Sequence, residues 1–242
     1  MNYVIITAGG VGRRLGAPVP KQFVEVLGRT VIAYTMEHFQ NHTEIDAIEL
    51  VCIDGFQKHL ESIAKQYGIT KVIKIVKGGS EYERTIMNGV AGLESIAAPD
   101  DVVMIHWASS PFLTEEIITD NIRVRKEEGN AITASFSYLL YGTNDGDCAR
   151  KSINRYTFMT LSAPLSFLYE IIVDIYRQVE GKKMFDYVEA HTPALMTELR
   201  TPVYFSKGSH INIKITTKED IDLFLGYLLA REYNENHQEQ HA

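Results

Sequence analysis

The stretch Tyr3-Val4-Ile5-Ile6-Thr7-Ala8-Gly9-Gly10-Val11-Gly12-Arg13-Arg14-Leu15-Gly16, followed by Pro20-Lys21-Gln22-Phe23, decides how the rest of the chain is read. Its apolar, β-branched run predicts a buried strand. That run stops at Gly9-Gly10-Val11-Gly12, a turn whose backbone can lie against a ligand. Three glycines in four residues leave their N–H groups bare, and such a nest of amides seats phosphate oxygens. Arg14 and Lys21 flank that seat with positive charge, and cations of this kind are rarely placed for packing. Two common phosphate loops are excluded by spacing. Gly9, Gly10, Gly12 and Gly16 do not make G-x-G-x-x-G, and no Gly-Lys-Ser or Gly-Lys-Thr follows.

Outward from this stretch, strand and helix patterns alternate. Thr30 to Phe39 has apolar residues at helical spacing, with Thr30 as its cap. Ala47 to Ile53 reads as a strand ending at Asp54-Gly55, Phe56 to Tyr67 as a helix closed by Gly68, and Lys71 to Val76 as a strand reaching Gly78-Gly79. This order implies parallel pairing with right-handed crossovers, in which ligands sit beyond the carboxyl ends of the strands. Glu83 to Leu93 is then a helix. Asp101 to Ile105 is the most clearly buried strand, and it delivers His106-Trp107-Ala108-Ser109-Ser110-Pro111-Phe112. His106, at a strand end, reads as structural rather than as a general base. Further on come a helix from Thr114 to about Gly129, a strand from Ala131 to Leu140, a hairpin-forming segment from Gly142 to Ser152, and an amphipathic stretch from Phe167 to Val179. A late strand, Pro202 to Phe205, precedes Lys214, which is expected at a strand end before a helix running from Lys218 to about Glu232. Residues 234–242 read as a disordered tail.

The 242 residues, 45% hydrophobic and 23% charged, fit one α/β domain over residues 1–233. A net charge of −7 argues against a nucleic-acid surface. Two cysteines without ligand spacing, and no signal segment before the first strand, give a reducing cytoplasm as the expected compartment. No apolar run reaches the roughly 18 residues that span a bilayer.

The opening motif resembles the signature loop of the cytidylyltransferases that make CDP-methylerythritol or CDP-ribitol from the sugar-alcohol phosphate. Three later stretches match the same family in order: Gly78-Gly79-Ser80 with Thr85-Ile86-Met87-Asn88-Gly89, then Ile105-His106 with Ala108 and Pro111-Phe112, then Asn212-Ile213-Lys214-Ile215-Thr216. The resemblance covers about residues 2 to 230. It implies a Rossmann-like, mostly parallel open sheet of the nucleotide-diphospho-sugar transferase type, with CTP and a phosphorylated alcohol as substrates. It also implies Mg²⁺ as divalent cation, with no residue assigned to hold it, and a homodimer built through an arm at about 136–160. By position in the motifs, Arg14, Lys21 and Lys214 are the expected catalytic cations. Ala8, Gly9, Gly10, Gly12, Gly79, Ser80, Thr85 and Ala108 are the expected nucleotide contacts, and Trp107, Ser110, Arg155 and Asp186 the expected acceptor contacts, with Arg155 supplied across the dimer.

The chain departs from the family where the acceptor is held. Trp107 replaces an aspartate and Ser110 an arginine. Ser137-Tyr138-Leu139 lacks the expected charged pair and threonine, and Ala163 replaces a threonine. Tyr82 stands where an arginine is usual, Arg84 where an acidic residue is common, and Phe185 precedes Asp186 where a threonine is expected. These losses cluster, so the expectation is a cytidylyltransferase with an intact CTP end and a rebuilt acceptor end. The alternative is a homologue that binds nucleotide and serves as a partner or regulatory protein.

Overall fold

The computed structural model describes residues 1–238. The opening apolar run is β1 (Asn2–Ala8), buried from Tyr3 onward, and a strand apolar on both sides needs cover on both faces. The chain supplies it by alternation: α1 (Val31–Asn41), β2 (Ala47–Cys52), α2 (Gln57–Gln66), β3 (Val72–Lys77), α3 (Tyr82–Gly92), β4 (Val102–Trp107) and α4 (Glu115–Glu128). β1 lies between β2 and β4 and is parallel to both, while β3 extends the sheet beside β2. Next come β5 (Asn130–Ser135), β6 (Thr160–Leu168), α5 (Tyr169–Gly181), α6 (Thr192–Glu198), β7 (Phe205–Lys207) and α7 (Lys218–Gln238). β6 runs antiparallel between β4 and β5, and β7 lies parallel beside β5. The resulting order is β7-β5-β6-β4-β1-β2-β3. This is the expected open, mostly parallel sheet, with one antiparallel strand inserted.

Period-two alternation sorts β1 between two cores. Val4 and Ile6 pack with Met36 and Phe39 of α1 and Leu60 of α2. Tyr3 and Ile5 pack on the other face with Ile86 and Val90 of α3 and Ile172 of α5. At the start of α4 the Thr114 hydroxyl accepts from Ile117 N–H, and Gly129 ends the helix in the left-handed region, a cap worth about 1 kcal/mol. Thr30 precedes α1 as expected but makes no side-chain cap bond.

Four boundaries differ from the sequence reading. β5 stops at Ser135 rather than Leu140, because the chain leaves the sheet there: Tyr138, Leu139 and Leu140 are exposed, Leu140 by 89%. Tyr141–Gly142 then pairs antiparallel with Ser152–Ile153 in a small ribbon. Phe167 belongs to β6, where it pairs with Val103 and Asn130, so α5 begins only at Tyr169; pairing overrides the helical pattern. The late strand falls after Pro202, which has no N–H to give a ladder. Finally, α7 continues to Gln238, past the predicted tail boundary at 234, and residues 239–242 lie outside the described residues. No helix among the described residues is long and apolar enough to cross a membrane.

Glu49, in the middle of β2, is fully buried and neither of its carboxylate oxygens has a hydrogen-bond partner. Burial pushes its pKa up to about 8, with Lys74 opposing. The native chain therefore keeps this proton up to about pH 8, whereas the unfolded chain releases it near 4.5. Between those values the unfolded state binds fewer protons, so this residue makes stability fall as pH rises. Glu49→Gln removes that slope. Thermal melts should show the variant's advantage over the parent growing by several degrees from pH 5 to pH 8, and a constant gap would mean that Glu49 titrates normally.

Candidate active site

The carboxyl ends of β1 and β4 lie side by side, with Thr7 paired to Trp107. The glycine turn leaves β1 at this edge. The Gln22 side-chain amide, almost fully buried, donates to Ala8 O (2.8 Å) and Gly10 O (3.0 Å) and so fixes the turn from behind. Gly12 has φ +72°, and a Cβ there would come within 2.9 Å of Lys21 Cβ, so no larger residue fits with Lys21 in place. A Cβ on Gly9 would come within 2.8 Å of the Thr85 hydroxyl. That hydroxyl accepts from Gly79 N–H (3.2 Å) and donates to Glu81 O (2.9 Å). Thr85 thus braces the second glycine segment, with Gly9 packed close against its side chain, and its only hydrogen is directed at the protein.

These segments enclose a cavity of about 750 Å³. Gly9, Gly10 and Gly12 form one wall and Gly79 and Ser80 another, with Ala108 also lining the space. Ala8 is buried behind the turn, where its carbonyl is used by Gln22. Arg14, Lys21 and Lys214 all reach the cavity. Lys214 is carried by an extended loop rather than a strand end, and its neighbours hold that loop in place. Ile215 N–H donates to Ser109 O (2.8 Å), the Asn212 amide to Ala163 O (2.8 Å), and Lys21 Nζ to Ile215 O (2.6 Å). The Asp220 carboxylate accepts from the N–H groups of Thr216 and Thr217, which locks the loop to the start of α7. Residues 194 positions apart in the chain are joined by the Lys21–Ile215 bond.

The site is electropositive before any ligand arrives. Burial, then the nearby charges of Lys214 and Arg14, depress Lys21 to a pKa of about 8, with Asp220 opposing. Burial, then Arg14, holds Lys214 below the ordinary lysine value. A polyanion bound here would relieve both shifts. The Lys214 ammonium lies 4.6 Å from the Trp107 ring centroid and 5.8 Å from that of Tyr82, and the two rings are joined by Trp107 Nε1–H donating to Tyr82 Oη at 2.6 Å. Cation–π contacts of this kind contribute about 2 kcal/mol when desolvated.

The expected acceptor set is not assembled as a unit. Trp107 lines the cavity, but Ser110 is buried with its hydroxyl unpaired, and its carbonyl accepts from the His106 ring at 2.9 Å. Ser110 is therefore a packing residue of the turn after β4. Asp186 is exposed in a single helical turn and does not line the cavity. Arg155 sits in the ribbon segment, where its guanidinium donates to Tyr138 O (2.7 Å), outside this chain's own cavity. Arg84 does not supply the missing charge, since it pairs with Glu180 and lies over Phe185. His106 is the structural histidine expected: fully buried, with its pKa lowered by burial to about 4. Tyr82 and His191 were not expected to matter, yet both line the cavity, their rings 5.4 Å apart. Tyr82 stood out only as a departure from a pattern, and His191 lies in a loop with no motif to flag it.

The profile of the family described as IspD, 2-C-methyl-D-erythritol 4-phosphate cytidylyltransferase, matches residues 2–229. Among similar proteins, one named ribitol-5-phosphate cytidylyltransferase from Lacticaseibacillus paracasei is 34% identical over 233 residues, covering 96% of this chain and 100% of its own. One named 2-C-methyl-D-erythritol 4-phosphate cytidylyltransferase from Clostridium botulinum is 33% identical over 225 residues, covering 92% and 95%. Among solved structures, 4-diphosphocytidyl-2C-methyl-D-erythritol synthase from Anaerococcus prevotii superposes with a TM-score of 0.79 at 26% identity, covering 95% of this chain and 96% of that one. Nearly end-to-end agreement in both sequence and fold places this chain in the 2-C-methyl-D-erythritol 4-phosphate cytidylyltransferase family.

Proposed function

We propose that the protein transfers CMP from CTP to a phosphorylated alcohol and releases pyrophosphate. One observation carries this reading: Lys214, near the end of the chain, converges with Arg14 and Lys21 on the glycine turn around a single 750 Å³ cavity. Bare amides and three cations are what a triphosphate needs, and the relatives' names supply the cytidine and the alcohol.

In the reaction, an oxygen of the acceptor phosphate attacks the α-phosphorus of CTP. The bond from that phosphorus to the oxygen bridging the β-phosphate breaks, and its electron pair leaves on pyrophosphate. The nucleophile is already an anion, so no general base is required. The protein's work is to hold two anions together and to stabilise charge developing on the α-phosphoryl and leaving groups. The glycine amides with Arg14, Lys21 and Lys214 line the space that would receive the triphosphate and the reacting phosphoryl group. Among the described residues no group of three or more metal-ligating side chains assembles, and Glu81 is the one carboxylate lining the cavity. That donor set suits Mg²⁺ held chiefly by phosphate oxygens, its usual mode, with Glu81 as the protein's oxygen donor. The metal would neutralise charge on the triphosphate.

The test is pyrophosphate release from CTP and Mg²⁺ with a panel of phosphorylated alcohols that includes ribitol 5-phosphate. Release with at least one of them is the expected result. Should none yield a CDP product while CTP still raises the melting temperature, the nucleotide-binding partner reading replaces this one, and the lost acceptor groups at Trp107, Ser110 and Ala163 favour it. The exposed apolar residues Tyr138, Leu139 and Leu140 beside the ribbon support a second copy of the chain as their cover. Sedimentation should accordingly give a dimer.

A further inference from the structure

We propose that Tyr82 is an acceptor-binding residue: its phenolic O–H, beside the Lys214 ammonium, donates to the phosphate of the alcohol where two cavities meet. This rests on the transferase reading above and adds a residue to it. The triphosphate cavity adjoins a second one of about 380 Å³, and Tyr82, Trp107, His191 and Lys214 line both. An acceptor phosphate has to reach the α-phosphorus on one side while its carbon chain lies on the other. The residues common to both cavities are therefore those that face the reacting oxygens.

The hydrogen bonds within this group of four decide which of them is free to act. Trp107 spends its one donor, Nε1–H, on Tyr82 Oη at 2.6 Å. His191 Nε2 faces a Glu189 oxygen at 3.4 Å. The Lys214 ammonium meets the Trp107 and Tyr82 ring faces and makes no hydrogen bond among the described residues. Tyr82 Oη accepts from Trp107 but donates to nothing among the described residues, which leaves an O–H without a partner at the junction. A hydroxyl that accepts one hydrogen bond becomes a stronger donor of its own, and the bond from Trp107 keeps that hydrogen off the indole. Burial pushes the phenol pKa up to about 12 against the opposing pull of the Trp107 bond, so the group stays a donor throughout the neutral range and does not serve as a base. Charge also favours a neutral donor at this place. Arg14 already adds to the depression of the Lys214 pKa, and a further cation would deepen it, whereas a hydroxyl adds a bond to the anion without repulsion.

Tyr82→Phe removes the hydroxyl and keeps the ring beside Lys214. With ribitol 5-phosphate as acceptor, kcat/KM for the acceptor should fall roughly tenfold or more, the usual size for one hydrogen bond to a charged group, while KM for CTP stays within about twofold. Tyr82→4-aminophenylalanine separates donation from support of the indole, because an aniline nitrogen donates well and accepts poorly. It should recover most of the loss. An unchanged acceptor kcat/KM in Tyr82→Phe, a loss shared equally with the KM for CTP, or no recovery by the amino variant overturns the assignment. Binding is read without turnover from the fluorescence of Trp107, the single tryptophan of the chain. Ribitol 5-phosphate should bind Tyr82→Phe roughly tenfold more weakly than the parent. Absence of turnover by the parent protein counts against the transferase reading alone, and the titration then decides: weaker binding by Tyr82→Phe supports the assignment, and equal binding, or none by the parent, overturns it.

Discussion

Lys214→Met should lower kcat/KM for CMP transfer by a hundredfold or more while the melting temperature of the free protein stays within a few degrees of the parent. The expected loss corresponds to about 3 kcal/mol, the usual size for removing one preorganised group aimed at developing charge. Lys214 is set up for this role by three features: a loop pinned to Ser109, Ala163 and Lys21, an ammonium over two aromatic faces, and depression of its pKa by burial and Arg14. Methionine keeps the apolar stem against Trp107, so packing is largely preserved and the charge alone is removed. Lys214→Arg should recover part of the rate, because a guanidinium also stacks on indole and binds phosphate. Full activity in Lys214→Met would mean that the distal loop is not part of the reaction centre, and the enzyme assignment would fall with it.

The second large effect belongs to Lys21. Lys21→Met should weaken CTP binding by a hundredfold or so, since it removes a charge and also cuts the bond that holds Ile215 and hence the Lys214 loop. In the parent, Lys21 has a pKa of about 8 because burial and its cationic neighbours disfavour the charged form. CTP affinity should therefore be constant below that pH and fall by up to tenfold per unit above it, with Lys214, also depressed, adding to the fall at higher pH. Calorimetric titration of CTP from pH 7 to 9.5 checks this, and in Lys21→Met the break at pH 8 should vanish. Stability of the free protein runs the other way. The native chain binds fewer protons than the unfolded one between about pH 8 and 10.5, so this lysine makes stability rise with pH across that window. A CTP affinity flat through pH 9.5 would show that Lys21 keeps an ordinary lysine pKa.

Much of the site was legible because it is written in backbone requirements. Gly9 and Gly12 stand where a Cβ would strike Thr85 and Lys21, and a local run of glycines announces such constraints without any coordinates. The unbroken apolar run of Tyr3, Val4, Ile5 and Ile6 likewise announced a buried strand. The end of β5 and the start of α5 could not be read in the same way. Phe167 carries a helical pattern but is claimed by Val103 and Asn130 across the sheet, and pairing partners dozens of residues upstream leave no mark on the local sequence.

By itself, the sequence determined the sheet class, from the alternation of strand and helix patterns, and the glycine turn with its flanking Arg14 and Lys21, from a few consecutive residues; Lys214 was singled out by the resemblance of its surrounding motif. The tertiary structure alone decided that Lys21 and Ile215 would touch, that Trp107 would meet Tyr82 and cage Lys214, that Ser110 would be buried and Asp186 turned away, and that His191 would join the site. Contacts between residues this far apart depend on how the sheet stacks its strand ends and how the loops above it are pinned. That geometry is fixed by packing summed over the whole chain, and no short segment encodes it.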